Sequence, residues 1–391
     1  MIPVRVIPVR VIVVGGGVVG LLTAMECGLA GAQVEVVDRS DIPSRWATSH
    51  DHHRVVRALH RGSPALTAAA VRAHRGWLEV ERRLGTRCYH QVGALTAVPA
   101  DDLPAELALL AGAGAAARAL PAGQLAARYR QVRFPAGLAA VFEPAAGAVL
   151  ADRMLAGLAG WLRGRPGTRL HPGRRVVAVD GAGGVRLAGG ERLAGDAVVV
   201  AAGPWSRELL PAGLAGELTL YRQTVLSYRP HPSWQAWDGL PAIPSFGTAT
   251  GAWLMPPVAG TPVRLSAHST CRPVPELTDR DSPEQWREHL IEQFRPLLTG
   301  FDPAAVTGAT DGYYLAATAG GGPLLASLGG GPVWAYAACG GLSFKLAPLI
   351  ARVLADRALG RPPRRTGLDP LDAPRALVPA AERSRAKGES R

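Results

Sequence analysis

The sequence predicts an α/β (α+β) fold in which a Rossmann-like domain is interrupted by a second domain on a mixed, largely antiparallel sheet. The first domain is indicated by a strand, glycine turn, helix and strand over 9–38, and by a second buried apolar strand over 196–203. The second domain is indicated by alternating apolar and polar residues over 218–230, 252–256 and 262–268. Because the apolar strand at 196 follows a long intervening stretch, the first domain is expected to be discontinuous.

The opening of the chain carries the most specific local motif. Its predicted elements are a strand over 9–14, a helix over 18–30 and a strand over 33–37. A GxGxxG pattern fills the first turn with Gly15, Gly17 and Gly20, and Asp38 ends the second strand. The first glycine permits a tight turn, the second lets a pyrophosphate approach the backbone, and the third lets helix and strand pack closely. An acid at this position accepts from ribose hydroxyls, so the motif predicts a dinucleotide site.

Further elements follow from periodicity and from helix start signals. They are a helix over 64–84, a strand over 92–98, one or two helices within 104–129, a helix over 151–163, a hairpin over 174–180 and 185–189, and helices over 282–298 and 343–359. The segment after Pro362 is rich in Pro, Arg, Ser and Ala, and we expect it to be loose.

A loop over 46–60 concentrates histidine and arginine. It contains His50, His52, His53, Arg54 and Arg57. Metal binding is one hypothesis, but no set of carboxylates or cysteines completes a site, so we expect no metal. The two arginines stand three positions apart, which on a helix would place them on one face.

Composition and charge exclude several classes of protein. The 391 residues are 48% hydrophobic, with 43 basic against 31 acidic residues and a net charge of +12. All but two of the basic residues, Lys345 and Lys387, are arginines, and they are scattered, so nucleic-acid binding is not expected. The apolar run over 11–25 is too short to cross a membrane and contains several glycines. The cysteines show no CxxC pair, so we expect no disulfide or zinc framework. We also expect no targeting signal and a cytoplasmic protein.

The order of these motifs resembles that of the D-amino-acid oxidase superfamily, and within it the monomeric sarcosine oxidase-like amine oxidoreductases. The resemblance rests on the fingerprint ending at Asp38, the Ser-His-to-Arg-x-x-Arg loop, AVVVAAGPW (197–205), YRQT (221–224) and GGLSFKLAP (340–348). It implies a GR2-type FAD-binding domain from 1–80, 145–215 and 310–365. It also implies a substrate domain from 81–144 and 216–309, followed by a loose tail over 366–391.

The resemblance also implies how FAD is held. The implied cofactor-binding residues are Gly15, Gly17, Val18, Val19, Gly20, Asp38, Arg39, Ser49, His50, Arg54, Val176, Gly203, Trp205, Gly340, Gly341, Leu342, Ser343, Phe344 and Lys345. The cysteine to which sarcosine oxidase-like enzymes link the flavin falls at Gly312, so we expect FAD to be non-covalent.

For the substrate, the resemblance assigns Arg57 and Lys345 to a carboxylate, and Tyr314 and Trp253 to the pocket. Cations of both kinds suit a carboxylate, the arginine as a bidentate fork and the lysine as a point charge. His50, Arg54 and Tyr314 are expected to tune the catalytic site. The lysine that speeds oxygen reduction in such oxidases falls near Arg272, an arginine that is the candidate replacement.

The implied reaction is oxidation of a C–N bond in a secondary, N-methyl or cyclic amino acid, by hydride transfer to flavin N5, giving an imine and hydrogen peroxide. Two alternatives stay open: a dehydrogenase that uses another electron acceptor, and a non-catalytic flavoprotein subunit of a complex. Either way the expected partners are a small amine and an electron acceptor, with the chain a monomer or homodimer.

Overall fold

The computed structural model describes residues 8–230, 237, 239–318, 323–338, 340–372 and 375–376. The chain divides into two compact units. The first consists of Met1–His50, Leu155–Thr219 and Tyr314–Arg391, and the second of Asp51–Met154 and Leu220–Tyr313. The first segment of the first unit ends at His50, because the strand and helix after it pair and pack within the second unit. The bounds of the FAD-binding domain stay a prediction.

Strands and helices are each numbered in chain order. The strands are β1 (Arg10–Val14), β2 (Gln33–Val37), β3 (His53–Val56), β4 (Tyr89–His90), β5 (Ala94–Pro99), β6 (Arg118–Leu120), β7 (Leu138–Glu143), β8 (Gly147–Leu150), β9 (Thr168–His171), β10 (Val176–Val179), β11 (Gly184–Leu187), β12 (Arg192–Ala194), β13 (Ala197–Val200), β14 (Leu218–Tyr228), β15 (Ala242–Ser245), β16 (Ala252–Met255), β17 (Val263–Ala267), β18 (Cys271–Pro273), β19 (Val306–Ala317), β20 (Leu324–Ser327), β21 (Val333–Ala338) and β22 (Arg375–Ala376). The helices are α1 (Val18–Leu29), α2 (Pro64–Leu84), α3 (Leu103–Gly112), α4 (Ala122–Arg128), α5 (Ala151–Arg163), α6 (Ala212–Ala215), α7 (Glu284–Phe294), α8 (Ser343–Ala358) and α9 (Asp369–Asp372).

The first unit is built on a Rossmann-like sheet with strand order β22-β20-β21-β13-β1-β2-β9. The five strands from β21 to β9 pair in parallel, and β20 runs antiparallel to β21. Strands β1 and β13 are apolar and almost wholly buried, as expected for parallel strands covered on both faces. Helices α1 and α8 pack against each other. The predicted α/β fold is confirmed, and the predicted hairpin is the antiparallel pair β10–β11.

The second unit is built on a mixed sheet with strand order β18-β14-β17-β16-β15-β5-β7-β6, with β19 also paired to β14. The pairing is antiparallel except between β15 and β5, which confirms a mixed, largely antiparallel sheet. Helix α7 closes one side, and its Phe294 packs against Phe246 in the core. A smaller sheet joins β3, β8 and β4.

One local prediction is wrong. Residues 53–56 form strand β3 rather than a helix, because Val55 and Val56 favour extended backbone and pair with β8. Arg54 lies in β3 and Arg57 directly follows it, so helical spacing does not place the two arginines on one face. The stretch 104–129 contains two helices, α3 and α4, as predicted, and strand β6 between them pairs with β7.

The C-terminal segment also departs from the expectation of a loose tail from residue 366. The carboxylate of Asp372 accepts from the backbone N–H groups of Thr366 and Gly367, each at 2.7 Å, and β22 pairs with β20. The rest of that predicted tail, 373–374 and 377–391, lies outside the described residues.

Within the described ranges, no helix is long and apolar enough to cross a membrane, and no group of His, Cys, Asp and Glu is arranged to hold a metal ion. Among the described residues, Cys27, Cys88 and Cys271 form no disulfide, and Cys339 lies outside them.

Candidate functional site

Two glycines of the fingerprint are required by the protein's own packing. Gly15 has a φ of +117°, and a Cβ added there would lie 2.4 Å from the carbonyl oxygen of Ala201. A Cβ on Gly20 would lie 1.9 Å from the carbonyl oxygen of Gly15. Both distances are below van der Waals contact, so a larger residue at either position would displace β1, α1 or β13.

Gly17 is different, because packing does not require it. A Cβ on Gly17 would come no closer than 3.4 Å to the Oγ of Ser49, which is ordinary contact. Gly17 precedes the first turn of α1, where Val18 donates its N–H to Ser49 at 3.1 Å. A helix N-terminus favours an anion, and a missing side chain lets one approach. The glycine cradle therefore fits the pyrophosphate of a dinucleotide.

Asp38 is oriented by its neighbours at the end of β2. Its carboxylate accepts from the N–H of Gly16 at 2.7 Å, and from the N–H and hydroxyl of Ser40 at 2.8 and 3.0 Å. Two carboxylate oxygens offer about four acceptor positions, so capacity remains for a ribose hydroxyl. Next to it, the Arg39 guanidinium lies over the Trp205 ring, 5.3 Å from its centroid.

The turn before α8 has the features of an anion-binding helix start. Gly340 and Gly341 have φ values of 51° and 78°, and Leu342 at the N-cap makes no side-chain hydrogen bond to the helix. The Ser343 hydroxyl bonds to that of Tyr336 at 3.0 Å. Lys345 is half-buried in the first turn of the helix. Its pairing with Arg57, which lies in the second unit, stays a prediction.

In the second unit, Arg57 directly follows β3 and is half-buried. Among the described residues its guanidinium has no hydrogen-bond or ion-pair partner, and its Nε is buried. Burial lowers the pKa of Arg57, and the nearby carboxylate of Glu143 opposes that shift. A buried donor without a partner is costly. The role of Arg57 in binding a carboxylate stays a prediction.

Arg54, by contrast, already has an ion-pair partner in its own unit. Asp51 forms ion pairs with Arg54 and with Arg264, whose Nη2 lies 3.3 Å from Asp51 Oδ1. Burial alone would raise the pKa of Asp51, but the two guanidinium groups hold it well below its ordinary value. Arg264 is itself buried and donates to the hydroxyls of Ser227 and Thr310.

Arg272 is also committed within its own unit. Its guanidinium donates to Asp311 at 2.8 Å and to the Thr224 hydroxyl at 3.2 Å, and it lies over the Trp286 ring. Asp311 is fully buried and also pairs with Arg222. The role of Arg272 in oxygen reduction stays a prediction.

The remaining predicted residues are placed as follows. In the first unit, His50 donates its N–H to the Ala47 carbonyl at 2.9 Å, Val176 opens β10, Gly203 begins a 3-10 helix that contains Trp205, and Tyr314 is half-buried on β19. In the second unit, Trp253 is half-buried on β16 and packs against the cluster around Met255.

The acids that form ion pairs with these arginines or lie near them were not identified from the sequence. Asp51 follows His50 directly, so a search for acids beside the predicted cations would have found it. Glu143 and Asp311 act across long sequence separations, 85 residues in the bond from Ala58 to Glu143, and no local signal marks them.

Comparisons with known proteins agree with this geometry. A family model described as FAD dependent oxidoreductase, DAO, matches residues 10–357. Mouse peroxisomal sarcosine oxidase is 23% identical over 372 residues, covering 90% of this chain and 92% of its own length. Glycine oxidase from Pseudomonas aeruginosa PAO1 is 32% identical over 249 residues, covering 54% of this chain and 62% of its own length.

Solved structures share the fold. A point mutant of NikD, described as an unusual amino acid oxidase essential for nikkomycin biosynthesis, has a TM-score of 0.78 at 20% identity, covering 95% of this chain and 98% of its own. Glycine oxidase from Geobacillus kaustophilus has a TM-score of 0.73 at 20% identity, covering 90% and 95%. Since the family model spans nearly the whole described chain, the protein belongs to the DAO family of FAD-dependent oxidoreductases.

Proposed function

We propose that this enzyme oxidises the C–N bond of an amine that bears a carboxylate, namely a secondary, N-methyl or cyclic amino acid. The observation that carries the proposal is the guanidinium of Arg57, which has a buried Nε and no partner among the described residues. A carboxylate is the anion that best matches an arginine fork. The similarity to a sarcosine oxidase and to a glycine oxidase supports the same substrate class.

FAD fits the first unit as its cofactor. The cradle at Gly15, Gly17 and Gly20 would receive the pyrophosphate, and Asp38 the ribose. The N-terminus of α8, which has no side-chain cap, would face an electron-rich edge of the flavin. When bound, FAD supplies the two-electron oxidation of the amine. Position 312 is glycine, which cannot form a thioether, so attachment is non-covalent.

The chain's own contribution is orientation of the substrate. Arg57 holds the carboxylate, and Lys345 adds a second positive charge. The reacting amine must be a free base. Fixing the carboxylate of the substrate places the amine nitrogen and the α-carbon for reaction. Tyr314 and Trp253 form walls of the pocket, and His50 and Arg54 tune its polarity. An unpaired arginine suited to a ligand argues against a non-catalytic subunit.

The acceptor is oxygen, with hydrogen peroxide as product, and a dehydrogenase is the second candidate. That alternative is favoured by the contacts of Arg272, whose guanidinium is bonded to Asp311 and lies over the Trp286 ring within its own unit. Oxygen uptake compared with reduction of an artificial dye, at matched substrate concentrations, distinguishes the two activities.

The test is anaerobic mixing of the yellow holoenzyme with N-methyl, cyclic and primary amino acids, followed by flavin absorbance. We expect bleaching with at least one carboxylated amine. Arg57→Met should raise KM for that substrate about 100-fold or more, because a desolvated charge pair is lost. Arg295→Met, which alters an exposed arginine paired with Glu292, is the matched control and should leave KM unchanged. No bleaching with any carboxylated amine would overturn the proposal.

A further inference from the structure

Glu143, the last residue of β7, is a buried acid whose carboxylate accepts hydrogen bonds from the two residues after Arg57. It is only 3% exposed. Its Oε2 accepts from the backbone N–H of Ala58 at 2.7 Å, and both oxygens lie 3.2 Å from the N–H of Leu59. A carboxylate that receives two consecutive N–H groups fixes the direction in which the chain leaves that turn.

Arg57 is the residue directly before these two donors. Its guanidinium donates no hydrogen bond to Glu143 or to any other described residue, so the acid holds the backbone directly after Arg57 and leaves the donors of the Arg57 side chain unused. The negative charge of Glu143 also opposes the effect of burial on the pKa of Arg57, which supports a charged guanidinium at this position.

We propose that Glu143 is a positioning residue: by holding the backbone of Ala58 and Leu59, it aims the free guanidinium of Arg57 at the carboxylate of the substrate. This inference rests on the proposed function, because it takes the anion at Arg57 to be that carboxylate. Glu143 does not touch the substrate itself.

The chain provides a close control in Glu81. Its carboxylate also accepts from two consecutive backbone N–H groups, those of Cys88, at 2.6 Å, and Tyr89. The residue directly before those donors is also an arginine, Arg87, but it is exposed to solvent, whereas the Nε of Arg57 is buried. A purely structural role for such acids would therefore give the same result at both positions.

The experiment measures binding of acetate and of its neutral analogue acetamide to the holoenzyme, by the change in visible absorbance of bound FAD. Glu143→Gln places an amide NH₂ against one of the two N–H donors, which shifts the turn. We expect the Kd for acetate to rise about tenfold or more. The Kd for acetamide should stay within about twofold, and Glu81→Gln should leave both unchanged.

A double-mutant cycle tests the dependence on Arg57. In an Arg57→Met background, Glu143→Gln should have no further effect on acetate binding. Glu143→Asp, which keeps both acceptor oxygens, should give an intermediate Kd and serves as the variant if Glu143→Gln fails to fold.

Several results would overturn the inference: equal losses of acetate and acetamide binding, the same loss in Glu81→Gln, additive effects with Arg57→Met, or tighter acetate binding because a negative charge was removed. Acetate binding that does not change in Arg57→Met would overturn it as well. The substrate screen decides the proposed function separately, because bleaching of the wild-type flavin does not depend on the result at Glu143.

Discussion

Single arginines in the second unit differ in whether the fold supplies an acid for them. Arg54 and Arg264 share Asp51, and Arg222 and Arg272 share Asp311. Arg57 has only the longer-range charge of Glu143 and no direct partner within the described residues. The spacing of these arginines in the sequence does not show this difference. The difference nevertheless determines which arginine is available to a ligand.

His53 makes stability depend on pH. It is buried, its Nε2 lies 2.8 Å from the Pro256 carbonyl, and burial lowers its pKa from 6.5 to about 4. The unfolded chain therefore binds a proton in this window that the folded chain does not, so stability should fall as pH drops from 6.5 to 4. We expect a loss of about 2 kcal/mol from His53 between pH 7.5 and 5.

Urea unfolding of the wild type and His53→Gln at the two pH values measures this loss. The variant should show a smaller pH dependence, and His52→Gln, which alters the exposed neighbour, should match the wild type. Some dependence should remain, because burial also lowers the pKa of His74 and His90. An unchanged slope in His53→Gln would contradict the assignment.

At the scale of elements, the glycine turn between β1 and α1 contains some glycines that packing requires and one, Gly17, that packing does not require. Gly20→Ala should prevent correct folding of the first unit, because the added Cβ would lie 1.9 Å from a carbonyl oxygen. Gly17→Ala should fold with nearly wild-type stability, but bind FAD about tenfold more weakly because the methyl group occupies the approach to the pyrophosphate. Thermal unfolding and titration with FAD measure the two effects. Equal loss of stability in both variants would remove the argument for a cradle.

Asp311 links several strands of the second unit. It bonds Arg222 on β14, Arg272 on β18 and the Ser282 hydroxyl. Asp311→Asn leaves two largely buried arginines without their acid, so we expect a loss of about 3 kcal/mol in the free energy of unfolding. Asp279→Asn is the control, since this exposed carboxylate lies 3.4 Å from Arg222 and should contribute below about 1 kcal/mol. Chemical denaturation compares them, and equal losses would argue against a special role for burial.

Helix α2 shows where element prediction succeeds and β3 where it fails. Ser63 accepts from the Leu66 N–H, Pro64 begins the helix and Gly85 ends it with a φ of 63°, so local signals define both ends as predicted. The strand β3 instead owes its conformation to pairing with β8, almost a hundred residues later in the chain. A pattern read locally cannot contain that partner.

For the whole molecule, the main prediction concerns attachment of the cofactor. Because position 312 is glycine, denaturation followed by filtration should release all of the yellow colour into the filtrate, with the absorbance of free FAD. The colour retained by the protein fraction is the measurement. Colour that stays with the denatured chain would show a covalent bond and contradict the prediction.

The sequence alone determined the family, the α/β class, the dinucleotide fingerprint and most helix bounds, because glycine turns, caps and hydrophobic period act over a few residues. Only the tertiary structure decided which charged groups are neutralised. Asp311 reaches Arg222 and Glu143 reaches the turn after Arg57 across more than 80 residues of sequence, 89 and 85 positions in the respective hydrogen bonds. An ion pair depends on distance and burial in space, so the arginine left for a ligand becomes identifiable only when the strands have paired.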